Sequence, residues 1–311
     1  MKKFFKTLIL FFILFFIVDK LFYFKLNKLP NQENDKRLEL LINGEINKEI
    51  IILGSSRAQN NIFAYLIEKK TNMSCFNLGY QGSNLDFQLF VLKTLLKYNA
   101  KPKHLLLVLD DEKELYTDKS LNFRFDRLFP LVKYNYYYQE LIERKQISLF
   151  ANFFYTARLN KNSFKFLRSF DHVDKLLPCG SASLDTVSPN PNFNFIKNKN
   201  YDEKQELPEK LKQFQEIQQI CKNKGIKLTY IFPPNFKHLN KQFENRIDKL
   251  KFSSTNKYVY NKNDKRYLEK PYFYNESHLN DRGAKVFTNE IAQFLNKNHE
   301  KSSHYPHKKR I

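Results

Sequence analysis

The chain has 311 residues, 42% of them hydrophobic, enough to build a core in one large domain or two small ones. Its formal net charge of +21 points to an anionic partner. The lysines are scattered, with no basic arm before a reading helix and no RNA-binding signature, which excludes nucleic acid as the expected partner and leaves anionic lipid or polymer.

The N-terminus is a positive start, Met1-Lys2-Lys3-Phe4-Phe5-Lys6, followed by the uncharged, almost wholly apolar run Thr7–Val18. As a helix that run spans only about 18 Å, short for a bilayer core about 30 Å thick. If Asp19 and Lys20 are tolerated near the interface, apolar character continues through Leu21-Phe22-Tyr23-Phe24. A cleavable signal peptide is the rival reading, but no small-x-small cleavage site follows. Residues 1–27 are therefore read as an uncleaved, single-pass signal anchor. Lys2, Lys3 and Lys6 stay inside, and the rest faces the periplasm or cell surface, although Lys20, Lys25 and Lys28 blunt the charge asymmetry. Residues 28–48 are polar and read as a linker with one short helix, Lys36–Ile42.

Glu49-Ile50-Ile51-Ile52-Leu53 reads as a buried strand that stops at Gly54-Ser55-Ser56-Arg57, before a helix running to about Lys70. A serine between a strand end and a helix start meets free N–H groups and a helix dipole, which favour developing negative charge. The same pattern also serves as an ordinary turn and N-cap. Cys75–Asn77 begins a second strand that leads into the glycine-containing loop 79–84. Ser83 is the expected cap of a helix to about Tyr98, with apolar residues at 85, 89, 92 and 96. Leu105–Leu109 is a third buried strand, ending in Asp110-Asp111-Glu112. Strand–helix–strand–helix–strand predicts a doubly wound α/β fold with ligands at the carboxyl ends of the strands.

Over about 113–202 the alternation is lost. The segment is rich in Phe and Tyr and reads as a mostly helical insertion ending in an extended loop. Its aromatics fit packing, or alternatively a lid or sugar-binding surface. A helix from Glu206 to Lys224 ends on Gly225. Lys227–Phe232 is a fourth strand, Phe236–Leu250 a helix and Tyr258–Tyr260 a short fifth strand. Asn280 caps the last helix, Asp281–Leu295, and 299–311 is a basic tail.

Of the seven histidines, only His278 lies in a loop before a helix at the expected sheet edge, within Asn275-Glu276-Ser277-His278-Leu279-Asn280. Gly54, Gly79, Gly82 and Gly283 flank the same region in a glycine-poor chain. The three cysteines, Cys75, Cys179 and Cys221, have no close pairing or zinc spacing, so no metal is expected. Cys75 and Cys221 read as core thiols; a disulfide through Cys179 stays open for a domain outside the cytoplasm. No feature calls for a cofactor.

These blocks resemble the SGNH/GDSL hydrolase superfamily. Gly54-Ser55-Ser56 is similar to its first block, Asn77-Leu78-Gly79-Tyr80-Gln81-Gly82 to its second, and His278 in His-Leu-Asn-x-x-Gly-Ala to its last. The resemblance covers about Glu49–Asn296 apart from the insertion, and is greatest to membrane-anchored members that act on cell-envelope polymers, including proteins of teichoic-acid D-alanylation and exopolysaccharide acetylation. It implies a three-layer α/β/α sandwich with a mostly parallel sheet over 49–298, Ser56 as nucleophile and His278 as base. It also implies an oxyanion hole from Ser56 and Gly82, with Gly79 as the alternative donor. The expected activity is a serine esterase or O-acyltransferase working on acylated envelope polysaccharide, with a membrane-bound acyltransferase as a candidate partner. The chain departs from the family at two points. Asp110 or Asp111 replaces the third-block asparagine, and Asn275 stands where the family has the aspartate that orients the histidine, with Glu276 as a substitute if the loop turns differently. Arg57, Asp110, Asp111 and Glu276 are candidates for substrate contact. The alternative is a catalytically degenerate scaffold that binds glycan during envelope assembly.

Overall fold

A computed structural model of the chain describes residues 1–28, 36–110, 112–161, 163, 175–184, 201–236 and 241–303. In chain order the helices are α1 (Lys2–Asn27), α2 (Arg37–Ile42), α3 (Ser56–Asn61), α4 (Ala64–Thr71), α5 (Leu85–Tyr98), α6 (Phe125–Leu128), α7 (Asn135–Glu143), α8 (Pro208–Lys224), α9 (Lys241–Leu250) and α10 (Asp281–Ser303). The strands are β1 (Ile50–Leu53), β2 (Cys75–Asn77), β3 (His104–Val108), β4 (Lys175–Leu176), β5 (Ala182–Ser183), β6 (Lys227–Phe232) and β7 (Asn256–Val259). The chain forms two compact units, Met1–Leu40 with Arg124–His172, and Leu41–Phe123 with Val173–Ile311.

The larger unit is built on a five-stranded sheet of order β2-β1-β3-β6-β7, parallel throughout. Its central strands are near-continuous Ile, Leu and Val, as expected when both faces are covered. Side chains alternate across the sheet. Ile50, Ile52, Leu106, Val108 and Ile231 pack with Ile67 of α4 and Phe287, Ile291 and Leu295 of α10. On the opposite face Tyr230 stacks on Phe214 of α8, ring centroids 5.0 Å apart. The fold is thus three-layer α/β/α, as the strand pattern predicts.

Several local readings change. The single helix expected after β1 is two, α3 and α4, broken by extended backbone at Ile62 and Phe63. The break is held from a distance: the Asn77 amide donates to the carbonyls of Ala58 (2.7 Å) and Ile62 (3.0 Å), and Thr288 Oγ1 accepts from Phe63 N–H. Asn84, not Ser83, caps α5, accepting from Phe87 N–H at 3.0 Å. Ser83 Oγ instead donates to the Gly54 carbonyl. The final helix continues to Ser303, past its expected end at Leu295. Residues 36–48 are not a loose linker, because Leu38, Leu41 and Ile46 are fully buried. Segments 185–200, 237–240 and 304–311, with His172, His238, His304 and His307, lie outside the described residues, as does Asp111.

The smaller unit contains α1, long and apolar enough to cross a membrane. At 26 residues it is about 39 Å long. Its charge break is answered by the insertion: buried Asp19 accepts from Tyr155 N–H, Thr156 N–H and Thr156 Oγ1, each at 2.8 Å. Phe154 packs on Phe15 and Phe16, and Tyr155 on Phe22 and Tyr23. Phe154 and Tyr155 of the insertion thus pack on α1, whereas Phe150 and Phe153 are exposed.

Candidate active site

The site lies at the carboxyl ends of β1 and β3. Gly54 ends β1 with φ +148°, and a Cβ there would meet Ala58 Cβ at 2.7 Å and Val108 Cβ at 2.9 Å. Only glycine lets the chain turn this tightly between β3 and α3. The turn delivers Ser55, fully buried, and Ser56, half-buried at the first position of α3. His278 arrives from the loop before α10. That loop is fixed by Leu279 N–H donating to Asn61 Oδ1 (3.0 Å), and by Asn280, whose Oδ1 accepts from Arg282 and Gly283 N–H as the cap of α10.

Ser56 Oγ and His278 Nε2 are 2.7 Å apart, and His278 Nδ1 is 2.9 Å from Asn275 Oδ1. The tautomer follows from the surrounding backbone. The same Asn275 atom accepts from the N–H groups of Ser277 (3.1 Å) and His278 (2.9 Å), so it must be the carbonyl oxygen and not the amide nitrogen. An acceptor facing Nδ1 requires a proton there. The neutral ring therefore presents an unprotonated Nε2 to the Ser56 hydroxyl, the arrangement a general base needs. Burial, with a smaller contribution from the Arg57 charge, pushes the His278 pKa down to about 4, so the ring is neutral at pH 7.

The two glycine donors fare differently. Gly82 N–H has no hydrogen-bond partner among the described residues, while the Gly82 carbonyl accepts from Asn122 N–H. Gly79 N–H donates to Asn77 Oδ1 at 2.8 Å and is not available to an oxyanion. The glycine at 79 is needed for close approach instead: a Cβ there would lie 2.6 Å from Ala58 Cβ and 2.7 Å from Gln59 N.

Of the residues expected to contact substrate, Arg57 and Asp110 line the same cleft as Ser56 and His278, each with structural bonds of its own. Arg57 is 2% exposed, and its guanidinium donates to the carbonyls of Asp110 (2.6 Å) and Pro233 (2.7 Å), tying the ends of β3 and β6 together. It acts on the site through its charge. The Asp110 carboxylate accepts from Ser55 Oγ, so it braces the serine turn and does not fill the place of an oxyanion donor. Glu276 does not reach the ring; Nδ1 is occupied by Asn275 and by Ser277 Oγ at 3.2 Å, and the Glu276 carbonyl accepts from Phe236 N–H.

Ser56, Gly82 and His278 open into one cleft of about 250 Å³, whose walls also include Gln81, Lys113 and Leu121. Sequence reading missed these wall residues. Gln81 lies inside the second glycine motif, but Lys113 and Leu121 carry no local signal: Leu121 arrives because the 119–123 loop is pinned to Gly82 through Asn122, and Lys113 comes from the short turn after β3, where its carbonyl accepts from Lys210 Nζ. No group of His, Cys, Asp and Glu among the described residues could hold a metal ion. The chain matches no protein-family model and no curated protein.

Proposed function

We propose that the chain is a membrane-anchored, SGNH-like serine esterase or O-acyltransferase acting on acyl groups of cell-envelope polysaccharide, with its α/β unit on the extracytoplasmic side. The observation that carries this reading is the Ser56–His278–Asn275 series, with its 2.7 Å hydroxyl–imidazole contact in an open cleft.

In the first step Nε2 of His278 takes the Ser56 hydroxyl proton as Oγ bonds to the ester carbonyl carbon. The carbonyl oxygen becomes an oxyanion that receives hydrogen bonds from the Ser56 and Gly82 N–H groups. Collapse breaks the C–O bond to the leaving alcohol, which departs with the proton from Nε2, and the acyl group stays on Ser56. Water, or a sugar hydroxyl, then gives its proton to Nε2 and attacks the acyl carbon; collapse breaks the bond to Ser56 Oγ, which takes the proton back from Nε2, releasing the acid or the transferred ester. Arg57 places a fixed positive charge near the cleft, and Asn275 keeps the ring in the working tautomer. Fluorophosphonate treatment of the full chain in detergent should phosphonylate Ser56, and His278→Ala should abolish the adduct. A folded protein that stays unlabelled would defeat the enzymatic reading.

One observation favours a scaffold that binds glycan without turnover. Asn275, in contact with His278 Nδ1, brings no charge to stabilise imidazolium. On that reading the cleft binds acylated glycan, but Ser56→Ala leaves binding and envelope phenotype unchanged.

A further inference from the structure

The insertion presents a short turn whose apolar side chains are not covered by other described residues. Leu149, Phe150 and Phe153 are 69%, 68% and 66% exposed, although neighbouring Ala151 and Tyr155 are buried. They sit in the segment that clasps α1: Phe154 lies against Phe15 and Phe16, the Phe153 carbonyl accepts from Lys20 Nζ at 2.7 Å, and Asp19 takes the N–H groups of residues 155 and 156.

Position along α1 gives the depth. If the hydrocarbon begins near Phe4, Asp19 lies about 23 Å in, still inside a core about 30 Å thick. A lone carboxylate at that depth is strongly unfavourable, and structures in lipid must satisfy their polar backbone internally. Both conditions are met here. Asp19 accepts three hydrogen bonds from the insertion and also pairs with Lys20 of α1 at 3.4 Å. Within the turn, Ala151 N–H donates to the Ser148 carbonyl, and Phe153 and Phe154 N–H to the Phe150 carbonyl. Arg158 Nε donates to the Ala151 carbonyl at 2.8 Å. A turn that exposes Leu149, Phe150 and Phe153, bonds its one exposed amide, Asn152, to Gln139 and is fastened to the side of a candidate span has the properties of a lipid-seated element.

We propose that the 148–156 turn is embedded in the bilayer beside α1, in the leaflet away from the N-terminus, with Leu149, Phe150 and Phe153 among the acyl chains. The Asp19 clamp makes the anchor a helix plus a wedge. This rests on α1 spanning the membrane, and the test separates the two ideas.

The chain has no tryptophan, so one introduced at a time is a unique reporter. Phe150→Trp, Phe153→Trp and, within α1, Phe11→Trp are each reconstituted as full chains into phosphatidylcholine vesicles, plain or brominated on the acyl chains. All three should lose emission in brominated lipid, by at least about twofold for a ring within the acyl region, and resist aqueous iodide. If brominated lipid quenches the Phe11→Trp protein but neither the Phe150→Trp nor the Phe153→Trp protein, α1 spans and the turn is not in lipid. In that case iodide quenching would put the turn in water, and protection from both would mean that protein covers it; either result overturns the proposal. If the α1 reporter itself escapes brominated lipid, the span fails and the wedge with it.

Discussion

At the scale of single residues, the question is what an asparagine does in place of a carboxylate. In serine proteases an Asp→Asn change at the orienting position costs about 10⁴ in rate because the imidazole adopts the wrong tautomer. Here that penalty is avoided in part, since two backbone N–H groups fix the Asn275 oxygen toward Nδ1. What is missing is charge. Asn275→Asp should therefore raise the His278 pKa from about 4 and speed acyl transfer by about tenfold or more, and the acid limb of kcat/KM against pH should move upward with it. The same pKa governs stability. It lies below the ordinary histidine value of 6.5, so the unfolded chain binds the extra proton. The stabilising contribution is whole above about pH 6.5 and is lost as pH falls toward 4. Denaturant titrations at pH 7 and pH 4.5 should show a larger stability loss for the wild type than for His278→Gln; equal losses would mean that His278 is not held neutral.

Strands were legible in the sequence because fully buried parallel strands leave uninterrupted apolar runs, as in Ile50–Leu53 and Leu105–Val108, each bounded by turn residues. Ser56 and His278 were legible because each sits at a junction marked by glycine or asparagine. The break between α3 and α4 was not. It depends on Asn77, Ser181 and Thr288, which contact residues 58–64 from elsewhere in the chain. No local pattern encodes such partners. The break has a mechanical role, because α3 must end where Asn61 receives the His278 loop. Asn77→Ala removes the amide that satisfies two buried carbonyls and should lower stability by about 2–3 kcal/mol in chemical denaturation. Gly79→Ala drives a methyl into Ala58 and the Gln59 N–H and should cost about 1–3 kcal/mol, while shifting α3 enough to depress turnover.

For the whole molecule, α1 and the net charge of +21 offer separate routes to a membrane, and salt distinguishes them. Charge attraction is screened within about 3 Å at 1 M salt, whereas a spanning helix is indifferent to it. The full chain should remain with sedimented membranes after a 1 M salt wash; release would mean that charge alone holds it there. The candidate nucleophile and its base are 222 positions apart, and the loop that carries the base is held between α3 and the cap of α10. Ser56 thus leaves the ribosome early and remains without a base until nearly all of the chain has been made and its last helix has docked. On the proposed esterase reading, synthesis order itself keeps the serine inert: a nascent or prematurely terminated chain ending before Asn275 has no base to activate Ser56.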